Sequence, residues 1–105
     1  MKTLADFKRV LAKPNTTLTT IKYLDGKTGE EKPHKFLDQV RTVGKLQTNS
    51  VALKDNTGKL SWLDIDKARN WTFTDSVATY ADGDVVIVYL VKETHLKDLT
   101  IPEQV

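Results

Sequence analysis

The side chains of this chain best placed by type and spacing to do chemistry lie in the run RTVGKLQTNS, Arg41 to Ser50. Two cations, Arg41 and Lys45, stand four positions apart, and Gln47-Thr48-Asn49-Ser50 sets four hydrogen-bonding side chains in a row. In an extended backbone alternate side chains face opposite ways. Arg41, Val43, Lys45 and Gln47 are therefore expected on one face, and Val40, Thr42, Leu46 and Thr48 on the other. The second set is the more core-like, so Arg41, Lys45 and Gln47 are expected to meet water as a contact surface, with Lys8 and Arg9 beside them. Gly44 allows a bulge or a close backbone approach within the strand. Asn49-Ser50 also suits a tight turn, since Asn tolerates the left-handed region. The four polar residues thus carry a structural reading as well as a binding one.

Catalytic chemistry finds little support. His34 and His95 have no second imidazole or thiol at metal-ligand spacing, and the chain has no cysteine. Gly26 and Gly29 are not set between a strand and a helix, as a phosphate-binding loop requires. No nucleophile-elbow pattern surrounds Ser50, Ser61 or Ser76. Asp55, Asp64, Asp66, Asp75, Asp82 and Asp84 fall mostly where turns and caps are expected, the usual place of aspartate. Asp82 and Asp84 flank a glycine but lack the further oxygen ligands of a calcium loop. No catalytic residue, metal or cofactor is expected, and the chain reads as a non-enzymatic binding protein.

Nucleic acid is the alternative partner. Small barrels bind single strands with exposed aromatics ringed by cations. Tyr23, Trp62, Trp71 and Tyr80 are the candidate aromatics, with Lys22, Arg41 and Lys45 as phosphate contacts. Two observations weigh against this. Both tryptophans sit in apolar alternation, LSWLDI and WTFT, and are expected in the core. The net charge of +2 is modest for a dedicated nucleic-acid binder. That charge is uneven: residues 1–50 hold ten Lys/Arg against five Asp/Glu, while residues 51–105 hold six against nine. A basic half followed by an acidic half could favour a charged partner or head-to-tail self-association.

These side chains need a scaffold, and the pattern supplies one. Thr3 and Asp6 stand at capping-box spacing ahead of Leu4, Phe7, Val10 and Leu11, which predicts an amphipathic helix over 3–13, ended by Pro14. After it the period changes to two, and the β-region is expected over 16–91. TTLTTIKYL, Val40–Thr48, Ser50–Lys54 and LSWLDI read as strands, with DNTGK as a hairpin turn. Asp66–Asn70 reads as one helical turn capped by Asp66. WTFT, SVATY and VVIVYLV complete the set, the last pair joined at Asp82-Gly83. Val85–Val91 is apolar on both faces, as in a central strand covered on both sides. The expected class is α+β, mainly β: a short N-terminal helix and five to seven antiparallel strands, as a curved sheet or a small SH3-like or OB-like barrel. Residues 1–92 would form one compact domain. In the tail, 93–105, Leu96, Leu99 and Ile101 are expected to dock on it, the alternative being a mobile tail.

With 105 residues, 39% hydrophobic and 29% charged, the composition is that of an ordinary globular domain. The run VVIVYLV is too short to span a bilayer as a helix, and the first residues lack the apolar stretch of a signal peptide, so no membrane association is expected and a cytoplasmic location is. One resemblance adds context. RTVGKLQTNSVAL, followed by SWL (Ser61–Leu63), Lys67-Ala68 and the pair Trp71 and Phe73, is similar to a pattern in small uncharacterised proteins of phages and prophages of Gram-positive bacteria. It covers residues 36–75 or so, and that family lends no established activity or functional residues. The resemblance implies a small accessory protein working through a protein partner, in its sharpest form an inhibitor of a host defence enzyme.

Overall fold

A computed structural model of the protein describes residues 1–93. It opens with α1 (Leu4–Leu11), started by the expected capping box: the Asp6 amide donates to Thr3 Oγ1 at 3.1 Å, and the Thr3 amide donates to Asp6 Oδ2 at 3.1 Å. Phe7 and Leu11 of its apolar stripe are buried, with Leu4 and Val10 packed beside the core. The helix ends two residues short of the expected stop, before Pro14, and the buried Thr16 hydroxyl donates to the carbonyls of Val10 and Lys13. That bond fixes the turn from helix into sheet.

Seven strands follow: β1 (Thr17–Asp25), β2 (Val40–Leu46), β3 (Ser50–Lys54), β4 (Leu60–Asp64), β5 (Trp71–Thr74), β6 (Val77–Ala81) and β7 (Val85–Lys92). Their order is β4-β3-β2-β1-β7-β6-β5, and every neighbouring pair is antiparallel. Two meanders, β1–β4 and β5–β7, are joined along the seam between β1 and β7. The hairpin turns lie where the sequence places them, with Gly58 and Gly83 at positive φ of 88° and 94°.

The sheet is curved and does not close. Laid flat, five strand spacings would hold β3 and β5 about 24 Å apart. Yet Val51 and Leu53 of β3 share one buried cluster with Trp71 of β5, Ala78 of β6 and Tyr89 of β7. Curling brings the arms together around Phe7, whose ring centroid lies 5.3 Å from that of Trp71 and 5.4 Å from that of Phe73. The helix closes this end, with Lys8 Nζ donating to the Thr48 carbonyl at 2.7 Å. Among the described residues β4 and β5 remain the two unpaired edges.

The structure corrects several expectations. Asp66 makes no cap bond to the 3-10 turn Ala68–Asn70. β7 is central in the sheet, but on its outer side Val86 and Val88 are only half-buried and Leu90 is exposed, so it is not covered on both sides by the described residues. In β4 two apolar phases compete. Leu63 and Ile65 turn inward and Ile65 is fully buried, so Leu60 and Trp62, on the opposite phase, point out. Trp62 is thus 52% exposed rather than core, whereas Trp71 is core as expected. Leu96, Leu99 and Ile101 lie outside the described residues. Among the described residues no helix is long and apolar enough to cross a membrane.

Candidate functional site

The run from Arg41 to Ser50 does not present its cations together. Arg41 is only 5% exposed and Val43 packs against the core, while Val40 and Thr42 face out. This reverses the faces expected for residues 40–43. The cause is a register shift between Val43 and Leu46, spanning Gly44 and Lys45, after which Leu46 turns inward as expected. A bulge adds one residue to the count, and so inverts the alternation on one side of it. Lys45 and Gln47 are exposed, and Gln47 Oε1 accepts from the Ser50 hydroxyl at 3.3 Å. Lys8 reaches the same turn through Thr48, but Arg9 turns to an ion pair with Asp6. Of the five candidates, Lys8, Lys45 and Gln47 lie at the β2–β3 end, Arg9 stands apart, and Arg41 is interior.

Arg41 acts inside the curl as a tie. Its Nη1 donates to Ser61 Oγ of β4 at 3.2 Å and its Nη2 to Thr20 Oγ1 of β1 at 3.1 Å. The guanidinium carbon lies 4.1 Å from the centroid of the Phe36 ring. Its Nε is buried and has no acceptor among the described residues. Burial lowers the guanidinium pKa, against the opposing effect of Tyr89 and Asp55, yet arginine stays charged in proteins. Burial in turn pushes the Tyr89 phenol up to about 12, with Arg41 pulling the other way. A buried cation with hydroxyl and π partners but no bonded carboxylate needs those partners to offset its desolvation. The Phe36 support is itself built by tilted ring contacts: the His34 ring touches those of Tyr23 and Phe36, with centroids 4.6 and 5.7 Å away, and its Nδ1 accepts from the Phe36 amide at 3.1 Å. Burial, then Arg41 and Lys35, lower the His34 pKa.

The carboxylates organise turns. Asp55 Oδ1 accepts from the Thr57 hydroxyl and from the Thr57 and Lys59 amides; Asp82 Oδ1 accepts from the Asp84 and Val85 amides. These bonds hold both carboxyls below their ordinary pKa. At Gly26 an added Cβ would sit 2.7 Å from the Gly83 carbonyl oxygen, so glycine lets the β1–β2 loop lie against the β6–β7 turn. Among the described residues no three His, Asp or Glu side chains converge as metal ligands would.

Two features remain that structural duty does not absorb. One is the outer side of β4, where Leu60 and Trp62 are 56% and 52% exposed on an unpaired strand. Trp62 stands opposite the small Ala52 of β3, and Gly44 of β2 lies beyond, since a Cβ there would lie 3.6 Å from that of Ala52. The other is a cleft of about 380 Å³ running from β4 across to Trp71, Tyr80 and Tyr89 of the opposite arm. Sequence reasoning had the aromatic residues but not the cleft, because its walls come from strands at opposite ends of the sheet order. No protein-family model, curated protein or solved structure matches the chain.

Proposed function

We propose that this chain is a non-enzymatic binding protein that acts on another protein through the outer edge strand β4. The observation that carries the reading is Trp62, half exposed on an unpaired strand beside the equally exposed Leu60. Natural sheets blunt their edges with Lys, Pro or cover, because unpaired peptide groups next to apolar side chains recruit other chains. β4, LSWLD, contains neither Lys nor Pro. Exposed tryptophan beside small neighbours is also the composition of an interface anchor. From the sequence resemblance alone we carry over an accessory role toward a host component, with inhibition of a defence enzyme its sharpest form.

The nucleic-acid alternative draws less support. Of its aromatic platforms Trp71 is buried, and of its phosphate contacts Arg41 is interior. Trp62 is followed on the same strand face by Asp64, which repels phosphate.

The test is a comparison of the wild type with Trp62→Thr. A partner isolated with the wild type should form a complex of fixed stoichiometry by light scattering, and the variant should fold equally well and fail to form it. Retained binding by the variant would overturn the reading. Anisotropy with labelled DNA and RNA at about 50 and about 200 mM salt supplies the other arm: tight binding at low salt that collapses at high salt would replace the protein partner with nucleic acid.

A further inference from the structure

The cleft beside β4 has three properties that together define an occupant. First, its lip is a strand edge with no paired strand among the described residues. The Ile65 amide donates to the Asn49 carbonyl, so the peptide groups of Ile65 face β3. With strand alternation, Leu63 and Ser61 face the same way, and Asp64, Trp62 and Leu60 turn their N–H and C=O groups to the open side. An extended peptide can bond there as an added strand. Second, Trp71 lines the cleft, is 5% exposed, and its buried Nε1 has no acceptor among the described residues. A buried indole N–H usually has a partner; this one is closed off from solvent in the free protein, and a peptide carbonyl becomes its complement once an entering segment displaces the side chains over it.

Third, the remaining walls favour a cation. Tyr80 and Tyr89 line the cleft, Trp62 and Asp64 stand at its β4 lip, and Asp66 borders it with Lys67 as the basic residue of the lining. Lys67 is in turn near Asp82, which accepts from the Tyr80 hydroxyl. Arg69 lies on the 3-10 turn that follows. Aromatic faces carry negative potential and attract ammonium or guanidinium groups, and the two carboxylates act in the same direction.

Building on the protein–protein reading above, we propose that β4 and this cleft together take an extended peptide segment of the partner that carries a lysine or arginine. Its backbone pairs with the free edge at Leu60, Trp62 and Asp64, one carbonyl accepts from Trp71 Nε1, and its cation enters between the aromatic walls toward Asp64 and Asp66.

The experiment selects binders from a displayed library of random peptides on the full chain and measures the winners by anisotropy against the wild type and three variants. Enriched peptides should share a basic residue within an alternating apolar pattern. D64N/D66N, which keeps side-chain size, should weaken them roughly tenfold, about the reach of one cation site. Trp71→Phe, which keeps a ring and removes the N–H, should weaken peptides by about fivefold irrespective of their charge. Winners that lack a basic residue, or that D64N/D66N does not weaken, overturn the proposal; if Trp62→Thr still abolishes them, the edge-strand reading stands without it. Winners indifferent to Trp62→Thr overturn both. A library that yields no winners overturns the peptide proposal and leaves the edge-strand reading to the isolated partner.

Discussion

The two edges of this sheet are finished differently. Behind β5 the helix packs Phe7 against both Trp71 and Phe73, and outside it the strand shows Thr72 and Thr74 to water. Behind β4 there is a polar tie, Arg41 bonded to Ser61, and outside it stand Leu60 and Trp62. One edge is sealed by apolar packing and blunted with threonine. The other is held by hydrogen bonds and left apolar where a partner could reach it. The apolar packing that holds the core together and the exposed apolar side chains thus sit on opposite sides of one opening, and Trp62 stands outside the buried cluster.

Removing the seal behind β5 should have the largest effect. Phe7→Ala leaves a cavity beside the rings of Trp71 and Phe73, and should destabilise the protein by about 3–5 kcal/mol in denaturant titrations. The tie behind β4 comes next. Arg41→Ala strands the hydroxyls of Thr20 and Ser61 and should cost about 1–3 kcal/mol, whereas Lys45→Ala, on the exposed bulge, should stay within about 0.5 kcal/mol. Arg41→Met should recover part of the loss, because an apolar side chain of similar length fills the site without a buried charge.

Acid should loosen the β4 side through His34. Its pKa is below the ordinary 6.5 in the folded protein, so the unfolded chain takes up the proton first as the pH falls. The contribution is complete above about 6.5 and is lost as the pH drops through the folded value. The melting temperature should therefore begin to fall as the pH drops through about 6.5. His34→Asn, whose side-chain oxygen can accept the Phe36 amide, should flatten that slope. The turn aspartates, also held low, act at still lower pH and leave this window to His34.

The smallest effect on stability is the most informative about function. Leu60→Thr with Trp62→Thr makes the outside of β4 resemble that of β5. Stability should move by no more than about 0.5 kcal/mol while partner binding is lost. A large destabilisation would mean that the β4 side chains are structural after all, and the contrast between the edges would fail.

The helix, its capping box, the seven strands and their hairpins were legible in the sequence because each is decided within a few neighbouring residues. Facing was not legible where two apolar phases compete. In β2, Val40 and Leu46 argue for one face and Val43 for another, and only the shift at Gly44 and Lys45 reconciles them. In β4, Leu60 and Trp62 compete with Leu63 and Ile65. Arg41 was misplaced for a related reason: its partners Thr20 and Ser61 each lie about 20 positions away, and nothing local announces hydroxyls waiting for a guanidinium. The cleft was beyond reach, since its walls meet only after the sheet curls.

The seam between β1 and β7 also governs how the chain reaches this state. The two meanders can each form from neighbouring segments, but the seam pairs residues 60 to 75 positions apart, from Asp25 with Val85 to Thr17 with Lys92. Such distant pairing carries a large loop-closure cost and slows folding. During synthesis β1 must wait for nearly all of the described chain to appear. The late-arriving strand VVIVYLV is also among the most apolar, so the interval before docking is when the chain is most open to aggregation or to exchange of its C-terminal meander with another copy.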